Sequence, residues 1–462
     1  MQKQMASNEK TTTKEKMIYG SASIADSVCY GFVGTFGMFF LTTVAGIDPA
    51  PAGTIVAIGT IWNAVFTPII GNISDRYHQK HGNRGGLIMR FGVPLMIFTF
   101  LLFFNIGFHG IARIIYCGVM MVCFWSCFTG FFIPYYALGV DYTSDYEDRT
   151  RLRLVASLFN SLGSFVSVVL PTTIIKLMEN AGVTTGGAWG CYAAIIGVLS
   201  LLSIIITVYG GRSKDVPPLN HHELEQFNLM DVFREYVELA RVKPMQYLLV
   251  LSFAALMGQT IFASNLMYYF SFFLGLSPEG ISLAQLFKTF FSIAMLPFVG
   301  MLAARCDKRQ TLFILWGIGC GMLVAIRFVP MPLVLLLALV IFAMGLCMGT
   351  YWQLVPSIFY DVCEYDRIVL KEDRSSAIVS FQGFVEAFAQ GVGSQLLGII
   401  LHFAGFNGEA ATQTATALTW VDNCMTLVPI VFFLIAFAAL LKYPITRKYY
   451  NEMLARAGRT EE

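Results

Sequence analysis

Three ionisable side chains, Asp26, Lys288 and Glu386, lie deep inside long apolar runs. A charge at the centre of a membrane helix costs a few kcal/mol. Each position therefore marks chemistry that needs a charge: a proton to carry, a solute to hold, or an ion pair to switch. Glu386 and Lys288 would form such a pair, in which an arriving solute disturbs the contact and moves a proton; the plainer reading is a fixed pair that only holds its half of the chain together. Asp26 is the alternative proton carrier, unless it is only hydrogen bonded among Ser23, Ser27 and Tyr30. Lys288 would also attract a carboxylate-bearing solute such as a uronide, although pairing with Glu386 would cancel that attraction.

These groups need a bilayer-spanning frame to position them, and the composition supplies one. Apolar residues make up 56% of 462 and charged residues 13%, with mean hydropathy +0.65, which excludes a water-soluble globule. A span needs roughly 20 apolar residues. Twelve runs qualify: 17–46, 50–73, 86–109, 111–141, 152–177, 188–210, 245–274, 279–303, 311–328, 331–361, 374–404 and 419–443. At 1.5 Å per residue, Asp26, Lys288 and Glu386 each fall roughly 13 to 18 Å into their runs, near the midplane. The first run is too long, and its leading segment too polar, for a removable signal peptide.

The pattern predicts an all-α membrane protein with an N-tail (1–16), a six-helix half (17–210), a polar linker (211–244), a second six-helix half (245–443) and a C-tail (444–462). Within the linker, Leu229, Val232, Phe233, Tyr236, Val237 and Ala240 recur at helical spacing, predicting a short amphipathic helix on the cytoplasmic face. Lys and Arg concentrate at the N-tail, at Arg76, Lys80 and Arg84, at Arg149, Arg151 and Arg153, in the linker, at Arg305, Lys308 and Arg309, at Arg367, Lys371 and Arg374, and at Arg447 and Lys448. The opposite loops hold Arg113, Lys176 and Arg327, so both termini are expected in the cytoplasm of a cell-membrane protein. The ten cysteines have no CxxC or metal-ligand spacing, so neither disulfides nor a metal site is implied. His221-His222 in the linker reads as solvated loop, and no nucleotide-binding loop or catalytic-triad spacing points to an enzyme or a nucleic-acid partner.

The two halves repeat each other. Pro68-x-x-Gly71 followed by Arg76 recurs as Pro297-x-x-Gly300 followed by Arg305, and "IPYYALGVDYTSDYEDRTR" has its counterpart in "VPSIFYDVCEYDRIVLKEDR". Gly71, Asp75 and Arg76 in one half and Gly300 and Arg305 in the other read as short hairpins whose ion pairs lock and release helix ends.

Taken with "YGSASIADSVCYGF", "IWNAVFTPIIGNISDR" and "DRSSAIVSFQGFVEAFAQGVG", these stretches resemble the glycoside-pentoside-hexuronide:cation symporter family. The resemblance covers most of the membrane domain and implies the major facilitator fold, a solute site at the midplane between the halves, cation-coupled uptake of a small solute and a monomer in lipid. In the family, the second helix carries Trp-Asp-x-x-x-Asp-Pro, whose carboxylates help hold Na⁺ or a proton. Here the same frame is Trp62-Asn63-Ala64-Val65-Phe66-Thr67-Pro68. The family's sugar-binding acid of the first helix aligns with Ser27, the acid before Ile-Pro with Phe132, the arginine of the fifth helix with Ser157, and the lysine of the eleventh with Glu386.

With the acids gone from Asn63 and Thr67, coupling to H⁺ rather than Na⁺ is expected, through Asp26 or Glu386. Candidate solute contacts are Ser27, Tyr30, Trp125, Phe132, Tyr136, Ser157, Trp352, Gln353 and Gln382, whose rings and amides suit a sugar, glycoside or uronide, or a less polar solute with an apolar aglycone. An uncoupled facilitator or exporter is the other transport reading.

Overall fold

The computed structural model describes residues 11–104, 107–142, 146–211, 229–372, 374–410 and 412–456. Pro217-Pro218 and His221-His222 of the linker lie outside these. All regular structure among the described residues is helical: α1 (Thr13–Thr43), α2 (Pro49–His81), α3 (Gly85–Leu102), α4 (Ile111–Tyr142), α5 (Tyr146–Ser164), α6 (Pro171–Asn180), α7 (Thr185–Gly210), α8 (Leu229–Leu239), α9 (Lys243–Tyr268), α10 (Pro278–Arg305), α11 (Lys308–Phe328), α12 (Leu333–Tyr365), α13 (Ser375–Phe403), α14 (Ala415–Met425), α15 (Leu427–Lys442) and α16 (Arg447–Arg456). Three π turns extend α5, α9 and α12, at Phe165–Val169, Tyr269–Phe273 and Asp366–Leu370. Twelve of these helical stretches are long and apolar enough to cross a membrane.

Helix starts follow the sequence chemistry. Thr12 caps α1 by accepting from Glu15 N while the Glu15 carboxylate takes Thr12 N at 2.8 Å, a reciprocal capping box. Pro49 opens α2, where its missing N–H costs nothing. Prolines also lie inside α2 (Pro68), α4 (Pro134), α10 (Pro297) and α12 (Pro356). Each removes one rung of the helix ladder, at equivalent places in the two repeats.

By contact the chain divides into two units, Met1–Phe227 with Ser277–Ser282 and Asn407–Glu409, and the remainder. In the first unit α1 packs on α5 and α7, α2 on α4, and α3 on α4 and α7. In the second, α9 packs on α13 and α15, and α11 on α12 and α15. The pairing of α2 with α4 has no equally close counterpart in α10, whose span is the least buried of the twelve. Phe291 of α10 does meet Phe342 of α12, with ring centroids 4.0 Å apart. The core of the second unit centres on Trp316, fully buried, whose indole N–H donates to Cys347 O at 3.2 Å.

Two expectations are corrected. Gly71, Asp75 and Arg76 are not a hairpin: α2 continues through them to His81, and the chain turns at Gly82, whose φ of 76° suits a residue without a Cβ. Gly300 and Arg305 likewise belong to α10, and Asp307 caps α11 instead. One glycine inside a run of helix formers is too weak a breaker to end a helix. The ion pair at this turn is Arg84 with Asp75, at 2.9 Å, with Ser74 Oγ also accepting from Arg84 at 2.6 Å.

The linker helix also differs from a free interfacial helix. Tyr236 of α8 stacks on Phe381 of α13 at 4.7 Å and Phe233 meets Phe384 edge-on at 5.7 Å, while Val237 and Met230 stay exposed. Burial pushes the Tyr236 phenol up to about 12. Tyr236→Ala, which costs about 3 kcal/mol for a buried aromatic, should release α8. Limited proteolysis should then cut the linker at least tenfold faster than in the parent, with the spans intact.

Candidate functional site

In the first unit, Tyr19, Ser23, Asp26 and Tyr30 share one face of α1 at helical spacing. Asp26 is half-buried and accepts from Asn160 Nδ2 of α5 at 3.1 Å. The Arg153 guanidinium, two turns earlier on α5, is its cationic neighbour. Arg153 lies over the ring of Tyr136 at 4.0 Å, within cation–π range. Tyr136 in turn meets Phe132 at 4.4 Å, and Tyr136 and Tyr30 are both exposed, at 40% and 41%. Ser23 Oγ and the Tyr135 hydroxyl hold each other at 2.7 Å beneath this surface. A carboxylate, a guanidinium and open aromatic faces therefore converge from α1, α4 and α5. Such a surface can accept hydroxyl donors, grip an anionic group and stack on a sugar's C–H face.

Several expected contacts lie elsewhere. Ser27 is buried and donates within its own helix to Ser23 O at 2.9 Å, and its Oγ occupies the space a Cβ on Gly163 would need. It belongs to the α1–α5 packing seam because it sits one position, about 100°, around α1 from Asp26. Ser157 is exposed on α5, between Arg153 and Asn160. Trp125 is only 5% exposed, edge-on to Tyr30, Phe124 and Phe128, and a Cβ on Gly59 would fall 2.7 Å from its ring. That makes it a packing anchor between α2 and α4, rather than a solute platform.

The cation frame of α2 is internally satisfied. The Asn63 amide oxygen accepts from Thr129 of α4, whose hydroxyl also reaches Trp125 O at 2.7 Å. Thr67 Oγ1 donates back to Asn63 O at 2.8 Å, and Trp62 Nε1 donates to Ser126 Oγ at 2.8 Å. A sodium ion needs several oxygens facing it; here the Asn63 amide oxygen already accepts from Thr129, and neither position 63 nor position 67 supplies a carboxylate.

In the second unit, Glu386 lies eleven residues into α13, about 17 Å along the helix. Gln382, one turn earlier, donates to its Oε1 at 2.8 Å and the fully buried Tyr351 of α12 donates to the same atom at 3.2 Å. Trp352 is 45% exposed and edge-on to Tyr351 at 5.4 Å. Gln353 places its Nε2 3.2 Å from where a Cβ on Gly300 would be, with its Oε1 buried and unbonded. The expected Lys288–Glu386 pair is absent among the described residues. Nearer neutral donors hold Glu386, and Lys288 sits half-buried on loosely packed α10.

Arg153, Asn160, Thr129 and Tyr351 were not singled out from the sequence. The first two had a legible signal: positions 153, 157 and 160 share one helical face, so they flank Ser157, where the family's arginine aligns. In the sequence, Arg153 groups with Arg149 and Arg151 as a cytoplasmic charge cluster.

A family profile described as MFS/sugar transport protein matches residues 18–447. The uncharacterized symporter YnaJ of Bacillus subtilis is 24% identical over 452 residues, covering 96% of this chain and 95% of its own. A glucuronide carrier protein homolog of Escherichia coli is 23% identical over 459 residues, covering 97% and 96%. Among solved structures, the nucleoside transporter NupG superposes with a TM-score of 0.67 at 12% identity, covering 94% of this chain and 100% of NupG. That likeness shows the major facilitator fold.

Proposed function

Because the chain belongs to the MFS/sugar transport protein family, the glycoside-pentoside-hexuronide:cation symporters of the major facilitator superfamily, it is a multi-pass membrane transporter coupling a small solute to a cation, and we propose that it imports a sugar, glycoside or uronide with H⁺. The observation that carries this is the Asp26–Asn160 bond beside Arg153 and the exposed ring of Tyr136. A carboxylate and a guanidinium at one surface suit a polyhydroxylated solute, the guanidinium offering its donors to an acidic group where the solute has one. A relative named as a glucuronide carrier homolog supports that class. The Asn63 amide oxygen, already bonded by Thr129, supports H⁺ over Na⁺, as does the lack of an acid at position 63 or 67. We place both termini in the cytoplasm of the cell membrane and take the monomer as the working unit.

A thermal-shift screen of purified protein against sugars, glycosides, uronides and small aromatic acids identifies the solute. In proteoliposomes, an inward pH gradient should then drive accumulation of that solute at least tenfold above equilibrium, and replacing Na⁺ by choline should change nothing. Accumulation that needs Na⁺ and ignores pH would overturn the proton assignment. Solute flux with no proton movement would favour the uncoupled facilitator or exporter, a reading that the acid-free α2 frame also allows.

A further inference from the structure

Glu386 and Asp26 have different surroundings, and the difference assigns them different tasks. Asp26 has a guanidinium as its charged neighbour and exposed rings around it. Glu386 has only neutral hydrogen-bond partners, so its charge is uncompensated, and a bound proton would remove it. Both donors aim at Oε1, and among the described residues nothing bonds to Oε2. A proton can therefore settle on Oε2 without displacing either bond. A metal ion would need further lone pairs around it, and Tyr351 and Gln382 turn hydrogens toward the carboxylate.

Tyr351 adds a second feature. Its 3.2 Å bond to Glu386 is long for a hydroxyl on a carboxylate. Ser252 of α9 is fully buried beside the same hydroxyl, and its Oγ has no hydrogen-bond partner elsewhere. A buried hydroxyl is costly to leave without a partner, so this one is a ready acceptor for Tyr351. Tyr351 therefore has two places to donate: Glu386 when it is charged, and Ser252 when it is not.

We propose, building on the proton-symport reading above, that Glu386 carries the coupling proton, that Tyr351 reports its state by moving between Glu386 and Ser252, and that Asp26 serves the solute. In the loading step hydronium gives its proton to Oε2, forming one O–H bond, breaking another and leaving water; unloading is the reverse. The elements packed on α13 bring Tyr351 from α12, Ser252 and Gln259 from α9, Tyr236 from α8, and Asp422 from α14, which is paired with Arg327 at 3.4 Å. Of these, Tyr351 alone bonds to Glu386. Tyr351 and Ser252 are positioning residues.

The test measures solute and proton fluxes together in proteoliposomes, using a solute found by the thermal-shift screen. Glu386→Gln keeps the shape and both donors. Protons taken up per solute should fall to background, while labelled solute still exchanges across the membrane. Tyr351→Phe should move the pH midpoint of uptake about one unit higher, because the charged carboxylate has lost a donor. Ser252→Ala should move the midpoint the opposite way, and Tyr351→Phe should cancel that shift in the double variant. The inference is overturned if Glu386→Gln still carries protons with solute. If that variant does not reach the membrane, an unmoved midpoint in Tyr351→Phe overturns it instead. If the parent protein moves no protons with solute, the proton-symport reading itself fails; that result is separate from parent coupling that survives in Glu386→Gln.

Discussion

Replacing Asp26 by Asn is expected to weaken solute binding by about 10- to 100-fold. A hydrogen bond to a charged group is worth about 1.5 to 3 kcal/mol, and each 1.4 kcal/mol is tenfold. The Asn160 bond survives as an amide–amide contact, so folding should be nearly unchanged while affinity falls. Calorimetric titration of the purified protein checks both at once. Arg153→Ala should act in the same direction, and more strongly for a uronide than for its neutral glycoside, because the guanidinium meets the carboxylate that only the uronide has. Equal losses for both solutes would mean that Arg153 serves Tyr136 rather than the solute. A lower melting temperature with unchanged affinity in Asp26→Asn would make Asp26 a structural residue.

The largest stability effect should come from Arg374. Its guanidinium grips Asp366 at 2.6 Å and 3.3 Å, its backbone N–H adds a bond at 3.2 Å, and Glu372 lies at 2.7 Å. Asp366 is 2% exposed, and its hydrogen bond holds the Arg374 guanidinium above its usual range. Arg374→Ala would leave a buried carboxylate without its counter-charge, a loss of about 3 to 5 kcal/mol. Thermal unfolding should then shift down by about 3 to 5 °C. Arg374→Lys should recover little of this, since an ammonium cannot bridge both oxygens as a fork does. Asp366→Asn/Arg374→Ala should be less damaged than Arg374→Ala alone, because no orphan charge remains. Additive losses in the double variant would show that the pair is not the unit of stability.

The spans were legible because hydropathy over a window is a bulk property, insensitive to the side-chain detail that decides a site. The inner prolines Pro68, Pro134, Pro297 and Pro356 were visible as repeats, but the helix ends after Pro68 and Pro297 were misplaced. Gly71 and Gly300 look like turn residues in isolation, while the surrounding α2 and α10 backbone stays helical. Charge depth along a helix was legible too, at Asp26, Lys288 and Glu386 alike. Pairing was not, since it depends on which donors are nearest: Gln382 is one turn from Glu386, whereas Lys288 is on another helix that packs loosely. Arg153 does not stand out as a site residue from the sequence because the polar segment before it looks like a loop, yet α5 begins at Tyr146.

The π turn at Phe165–Val169 carries a bookkeeping consequence for anyone comparing this chain with its relatives. A turn closed by i→i+5 bonds accommodates one residue more than an α turn of the same rise. A relative with an unbroken fifth helix therefore needs a one-residue gap at this place, or every later position in that helix is compared with its neighbour. The same holds after Tyr269 and after Asp366. Roles matched upstream of these turns, such as that at Ser157, keep their register; those matched within the same helix beyond them need the gap placed first.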